Sequence, residues 1–187
     1  GRYLYSNRAA KLVIECGAVP KVIARLEKYF DNFLVDEVQD FAANDFNLLL
    51  ALTQAKIELL FVGDFFQHTF DTSRDGATRK NLHKKGVDAY IKEFSDVGLD
   101  VDITTLDKTY RCSSSVCEFI ASDVGMQIES HRADQTEVFV VKDQEVAREL
   151  FYDPGKVKLF FQEHEKYDCF SNNWGKSKGL NGYDDVC

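Results

Sequence analysis

Apolar residues fall into two patterns along this chain. Near the N-terminus Leu12, Val13, Val19, Val22, Ile23, Leu26 and Phe30 recur at helical spacing, and the break near Gly17 and Pro20 divides residues 8–30 into two helices. Beyond them the apolar residues gather in short unbroken runs. Phe33-Leu34-Val35 and Glu58 to Val62 predict buried strands, with a helix from Phe46 to Leu52 between them. A polar, glycine-containing loop from Thr72 to Gly86 precedes a helix from Val87 to Phe94. Ile103 to Leu106, Val138 to Val141, Val157 to Phe161 and Cys169 to Ser171 predict four further strands. Ser113 starts a helix that its hydroxyl can cap, and another helix fits Val146 to Phe151. Short apolar runs separated by helices indicate parallel sheet covered on both faces. The expected class is α/β, in two parts: residues 1–100 and 101–187, divided near Val101.

Composition narrows the picture. With 187 residues, 44% of them hydrophobic, the chain can bury a core. A formal charge of −8 argues against coating nucleic acid or membrane by bulk electrostatics, though it leaves room for a local basic groove. The five cysteines, Cys16, Cys112, Cys117, Cys169 and Cys187, include no CxxC pair, so a reducing compartment fits better than a disulfide framework or a zinc site. No apolar run approaches the roughly 18 residues of a membrane helix. No signal-peptide pattern opens the chain, so a cytoplasmic protein without membrane contact is expected. His68, His83, His131 and His164 show no metal-ligand spacing.

The chemistry concentrates at strand ends. Leu34-Val35 runs straight into Asp36-Glu37, with Gln39 and Asp40 close behind. In an open parallel sheet, ligands bind beyond the carboxyl ends of the strands. Adjacent acids diverge there, so one can hold a metal ion while the other faces a water, a division suited to nucleoside triphosphate hydrolysis. An acidic turn after a strand is the plain alternative. The second strand ends in Gly63-Asp64 with Gln67 after it, and a glutamine senses a terminal phosphate without carrying charge. Tyr110-Arg111 follows the third run: a flat ring beside a guanidinium that can stabilise a phosphoryl group in transition.

Order and spacing together are more specific than any one of these. DEVQD, VGDFFQHTF, LDKTYRCSSSVCEFI and WGKSKGL resemble motifs II, III, IV and V of superfamily 1 DNA helicases of the UvrD/Rep/PcrA group, in the family's order. The resemblance implies two RecA-like domains. It implies that Asp36 binds Mg²⁺, Glu37 is the general base, and Gln39 and Gln67 lie near the γ-phosphate of ATP. Asp40 would also belong to the nucleotide site, Tyr110 would stack near the adenine and Arg111 would act as an arginine finger. Phe70 would stack on bases of single-stranded DNA, with core packing as the alternative, and Lys178 would face phosphate or backbone. Arg79, Lys80, His83, Lys84 and Lys85 form a basic patch, with Lys84 and Lys85 as candidate phosphate contacts or part of a solvated loop.

Departures from the family pattern fall mainly on nucleic-acid grip. Thr109 replaces the usual Asn, the residues around Thr72 lack a second stacking aromatic, and Gly175 stands where His is frequent. Asn181 occupies the position of a Glu expected at the ribose, which makes it the candidate sugar contact. Gly175-Lys176-Ser177 mimics the end of a P-loop, yet Phe170 stands where that motif needs its first glycine. Only Gln162 to Asp168 separates two predicted strands at the point where larger relatives carry an inserted subdomain, so no large insertion is expected.

The resemblance thus implies part of an ATP-dependent helicase or translocase on single-stranded DNA. The rivals are a helicase-derived scaffold or regulatory module with a dead motor, or a subunit of a nuclease or defence complex. No GxxxxGK[ST] occurs in the chain, and motif VI is absent, so the P-loop is expected upstream in a longer protein. The purified 187-residue chain should therefore show no magnesium-dependent ATPase activity above background, and measurable turnover would contradict this.

Overall fold

The computed structural model describes residues 5–68, 71–73, 78–79, 81–177, 183 and 186–187. It is mixed α/β with short parallel strand pairs and divides into two compact units, Gly1–Asp102 and Ile103–Cys187. No helix among the described residues is long and apolar enough to cross a membrane.

In the first unit, α1 (Ala9–Glu15) and α2 (Val19–Tyr29) flank Gly17, whose φ of +62° is one that glycine adopts without strain. Pro20 lies in the first turn of α2, where its missing N–H costs nothing. Both helices pack on α3 (Ala43–Leu52), which connects β1 (Asn32–Val35) to β2 (Glu58–Phe61). The two strands pair in parallel, Phe33 with Leu59, Leu34 with Leu60 and Val35 with Phe61. A β-α-β unit is the economical way to make such a pair, because parallel strands need a long crossover. Helix α4 (Val87–Ser95) completes the unit.

The core gathers where these elements meet. Phe46 is fully buried among Val35, Val38, Leu49, Leu50, Tyr90 and Phe94. Phe94 meets Phe46 and Phe61 edge-on, with ring centroids 5.5 and 6.5 Å apart, the arrangement that ring quadrupoles favour. Arg79 lies over the Phe46 ring at 5.3 Å and pairs with Glu93.

The expectation of strands covered on both faces is corrected. Phe33, Val35, Leu59 and Phe61 turn toward the interior, whereas Leu34 and Leu60, side by side in the register, are 67% and 57% exposed. With two strands, the pair has one packed face and one open face among the described residues.

The second unit is thinner. β3 (Lys108–Thr109) pairs in parallel with β4 (Glu129–Ser130), and β5 (Lys158–Phe160) with β6 (Ser171–Asn173). Beside β5, Val157 bridges Val186. Helix α5 (Ser114–Phe119) is capped by Ser113, whose hydroxyl accepts from the Val116 N–H, and it runs on as a π-helical turn to Val124. Helix α6 (Gln144–Tyr152) is capped by Asp143, and the four-residue α7 (Trp174–Ser177) follows β6.

Two expected strands are absent here. Ile103–Leu106 lies in bends and a turn, fully on the surface. The ladder forms later, where Lys108 and Glu129 are register partners and ion-pair at 2.7 Å, and the Thr109 hydroxyl takes the Arg111 amide just past the strand. Val138–Val141 has strand-forming residues but no paired edge, and Phe139 and Val140 are exposed. The preceding segment is tied to the start of α5 by serine hydroxyls, Ser114 to the Asp134 carbonyl and Ser115 from the Thr136 amide. The predicted strand at Cys169–Ser171 is displaced to Ser171–Asn173, and within the expected loop His83–Lys85 forms a 3-10 turn.

Phe46→Ala should lower unfolding free energy by about 3–5 kcal/mol, the usual cost of removing a buried ring. Leu34→Ser on the open face should change it by no more than about 0.5 kcal/mol, since exposed positions rarely matter more. Urea titration checks both, and similar losses at the two sites would contradict the assignment of inner and outer faces.

Candidate functional site

The acids at the end of β1 lie on a turn that the backbone makes with difficulty. The ladder runs one step past the strands, Val62 N–H to the Val35 carbonyl at 2.8 Å and Val38 N–H to the Val62 carbonyl at 3.0 Å. Between Val35 and Val38 the chain must double back, and Glu37 does so in the left-handed region with φ +52°. A non-glycine residue there costs on the order of 1–3 kcal/mol and persists where its surroundings hold it. Asp36 Oδ1 accepts the Glu37 amide at 2.7 Å, the Gln39 side-chain amide donates to Glu37 Oε2, and the Glu37 carbonyl accepts from the Asp40 amide at 3.0 Å. Both acids remain exposed to solvent.

Gln39 is wholly buried and joins the two strand ends. While its Nε2 holds Glu37, its Oε1 accepts the Asp64 amide at 3.0 Å, just past β2. That contact requires Gly63: a Cβ there would stand 2.4 Å from Gln39 Oε1 and 2.9 Å from Val38 Cγ1. Asp64 in turn caps the 3-10 turn Phe65–Gln67, with Oδ1 accepting the Phe66 amide at 2.9 Å and Oδ2 accepting Gln67 Nε2 at 2.8 Å. Asp36, Glu37, Gln39, Asp64 and Gln67 therefore form one connected set at the carboxyl ends of two parallel strands.

Asp40 differs from its neighbours. It is buried beneath the turn, its carboxylate 3.8 Å from His68 Nδ1 and its carbonyl accepting the Thr72 amide at 2.9 Å. The Gln39 carbonyl takes two imidazoles, His68 Nδ1 at 2.9 Å and His83 Nε2 at 3.0 Å. Burial and the neighbouring His68 hold His83 below the ordinary histidine pKa, and burial with the Asp40 charge raises that of Tyr90.

Sequence reasoning missed this histidine pair, as well as the capping role of Asp64. Histidines separated by a whole loop carry no spacing signal, but a glycine between a strand and an aspartate was a legible sign of close backbone approach. The basic patch does not hold together: Arg79 and His83 face inward, while Lys84 and Lys85 stay exposed on the 3-10 turn. Lys80, Phe70, Lys178 and Asn181 lie outside the described residues.

In the second unit Tyr110 is 77% exposed and stacks face to face on His131, centroids 4.0 Å apart. Arg111 is anchored through its backbone, its amide donating to the Thr109 hydroxyl and its carbonyl accepting from Arg132 Nη1, which leaves an exposed guanidinium. In α7, Asn173 Oδ1 accepts the Gly175 and Lys176 amides at 2.8 and 3.2 Å. Those amides are thus engaged, unlike the open nest of a phosphate loop.

The donor set also bears on a metal. No group of three His, Cys, Asp or Glu residues among those described could enclose an ion. Asp36 offers one exposed carboxylate at the end of β1, a donor of the kind that Mg²⁺ takes alongside water and phosphate ligands. No family model matches the chain, and no curated protein matches it.

Gly63→Ala should destabilise the first unit by about 1–3 kcal/mol, as overpacking against backbone and a buried amide does. An unchanged urea midpoint would show that Gln39 does not occupy the space beside Gly63.

Proposed function

We propose that this chain is the part of a superfamily 1 helicase-like motor that carries motifs II to V, built on RecA-like domains and acting in the cytoplasm on single-stranded DNA with ATP. The observation that supports this best is the buried Gln39 bridge. It couples the general-base candidate Glu37 to the Asp64–Gln67 turn at the neighbouring strand end. A merely acidic surface turn has no need of a buried amide joining it to the next strand, or of a strained backbone under the glutamate.

In this reading Glu37 takes the proton from the attacking water. The hydrogen bond from Gln39 Nε2 to Glu37 Oε2 orients that carboxylate. Asp36 would hold Mg²⁺, which when bound offsets charge on the phosphate oxygens. Gln67, held by Asp64, is the group that would exchange its carboxylate partner for the terminal phosphate and so report its presence. Arg111 supplies the permanent charge that stabilises the transferring phosphoryl group, and Tyr110 a ring face for adenine. Phe70 and Lys178 are assigned to the DNA, with Asn181 at the ribose, and Lys84 and Lys85 offer exposed charges for phosphates.

In the intact protein, Glu37→Gln should abolish ATP turnover while nucleotide affinity stays within a few-fold, and Arg111→Ala should lower kcat by roughly 10³-fold or more. Turnover surviving in Glu37→Gln would remove the general base and with it the reading.

A further inference from the structure

Two histidines that hydrolysis does not use meet beneath the acidic turn. Their rings stack with centroids 3.8 Å apart, 8° from parallel. Each points one nitrogen at the same oxygen, the carbonyl of Gln39. A carbonyl can only accept, so both nitrogens carry hydrogen. In neutral rings this assigns the tautomers as Nδ1–H for His68 and Nε2–H for His83.

The remaining nitrogens differ in what surrounds them. His68 Nε2 lies 3.4 Å from Asp71 Oδ1, and Asp40 is on its other side. His83 Nδ1 is buried with no hydrogen-bond partner among the described residues. Phe65 and Tyr90 pack on the His83 ring at 5.1 Å each. Asp40 and Asp71 reach it only as more distant charges, and Lys84 and Lys85 follow it, exposed, on its own turn. A proton arriving on His83 would create a buried N–H with no acceptor among the described residues and a positive charge directly under its partner ring.

The geometry points to a proton-operated clamp: the His68–His83 stack grips the Gln39 carbonyl while His83 is neutral, and loosens when a charged His83 must turn its buried Nδ1–H toward an acceptor. Release matters because Gln39 also holds Glu37 and the Asp64 amide, so the clamp governs the order of the whole acidic turn. The sign of the pH effect follows from His83, held below its ordinary value by burial and by His68. Below about pH 6.5 the unfolded chain takes up this proton while the folded chain resists it, so stability falls as pH falls through that window. The clamp is a property of the folded turn and requires neither nucleotide nor turnover.

Imidazole nitrogen shifts of the labelled 187-residue chain, followed from about pH 8 to pH 5, test this across the range where histidine titrates. His83 should keep its Nε2–H tautomer below about pH 6.5 and, on charging, move the Gln39 and Glu37 amide signals with it. A midpoint at or above the ordinary value, or charging that leaves those amides still, overturns the clamp. His68→Asn keeps a donor where Nδ1 was and removes the facing titratable ring that lowers His83, so the His83 midpoint should rise. His83→Gln keeps a donor where Nε2 was and cannot charge, so acid-side loss of thermal stability should shrink. A loss as steep as in the wild type overturns the proposal, and if His83→Gln fails to fold the wild-type titration decides alone.

Discussion

One buried side chain, Gln39, sets the terms for the first unit. A primary amide buried without partners would be heavily penalised. Here its nitrogen donates to Glu37, its oxygen accepts the Asp64 amide, and the carbonyl of the same residue accepts two imidazoles. Each partner comes from a different stretch of chain, so the network closes only when β1, β2, the Phe65–Gln67 turn and the His83–Lys85 turn are all in register. Gly63 is small because this amide passes beside it, and Glu37 tolerates a left-handed backbone because the same amide holds its carboxylate.

This answers why an apolar strand should run into acids. Val35 and Val38 are buried and anchor the turn from below, in contact with the core around Phe46. Asp36 and Glu37, between them, have nowhere to turn but outward. The alternation of buried Val35, exposed Asp36 and Glu37, then buried Val38, Gln39 and Asp40 makes a projecting pair of carboxylates on a rigid base. Rigidity matters for any chemistry proposed there, because positioning groups in advance avoids reorganisation during reaction.

How much of this the sequence disclosed follows from how local each cause is. Helices α3 and α4, strands β1 and β2, the break at Gly17-Pro20 and the Ser113 cap were legible because each depends on a few neighbouring residues: a 3.6-residue period, a short apolar run, a hydroxyl at the right offset. The strands expected at Ile103–Leu106 and Val138–Val141 were illegible as errors, since apolar runs reveal propensity but not whether a partner edge exists. The open face at Leu34 and Leu60 is the same problem seen from the side, because no residue in a strand states what covers it. Beyond the strand ends, the placement of the acids and of Gln67 was readable from the apolar runs that precede them. The His68–His83 stack was not, because it joins two residues far apart in sequence at a backbone carbonyl, which leaves no side-chain pattern.

The electrostatics of the turn carry the argument one step further. Asp36 and Asp64 stand at adjacent strand ends in a chain of net charge −8, and repulsion between such groups opposes folding. The fold answers them with neutral donors: the Glu37 amide for Asp36, the Phe66 amide and the Gln67 side chain for Asp64. Neutral donors order a carboxylate and relieve its desolvation without cancelling its charge, whereas a lysine or arginine would do both. The two carboxylates are thus ordered without being neutralised, which is what the proposed cation chemistry requires of them. An ion pair at these positions would have made a firmer surface, but it would have consumed the charge that the proposed chemistry requires.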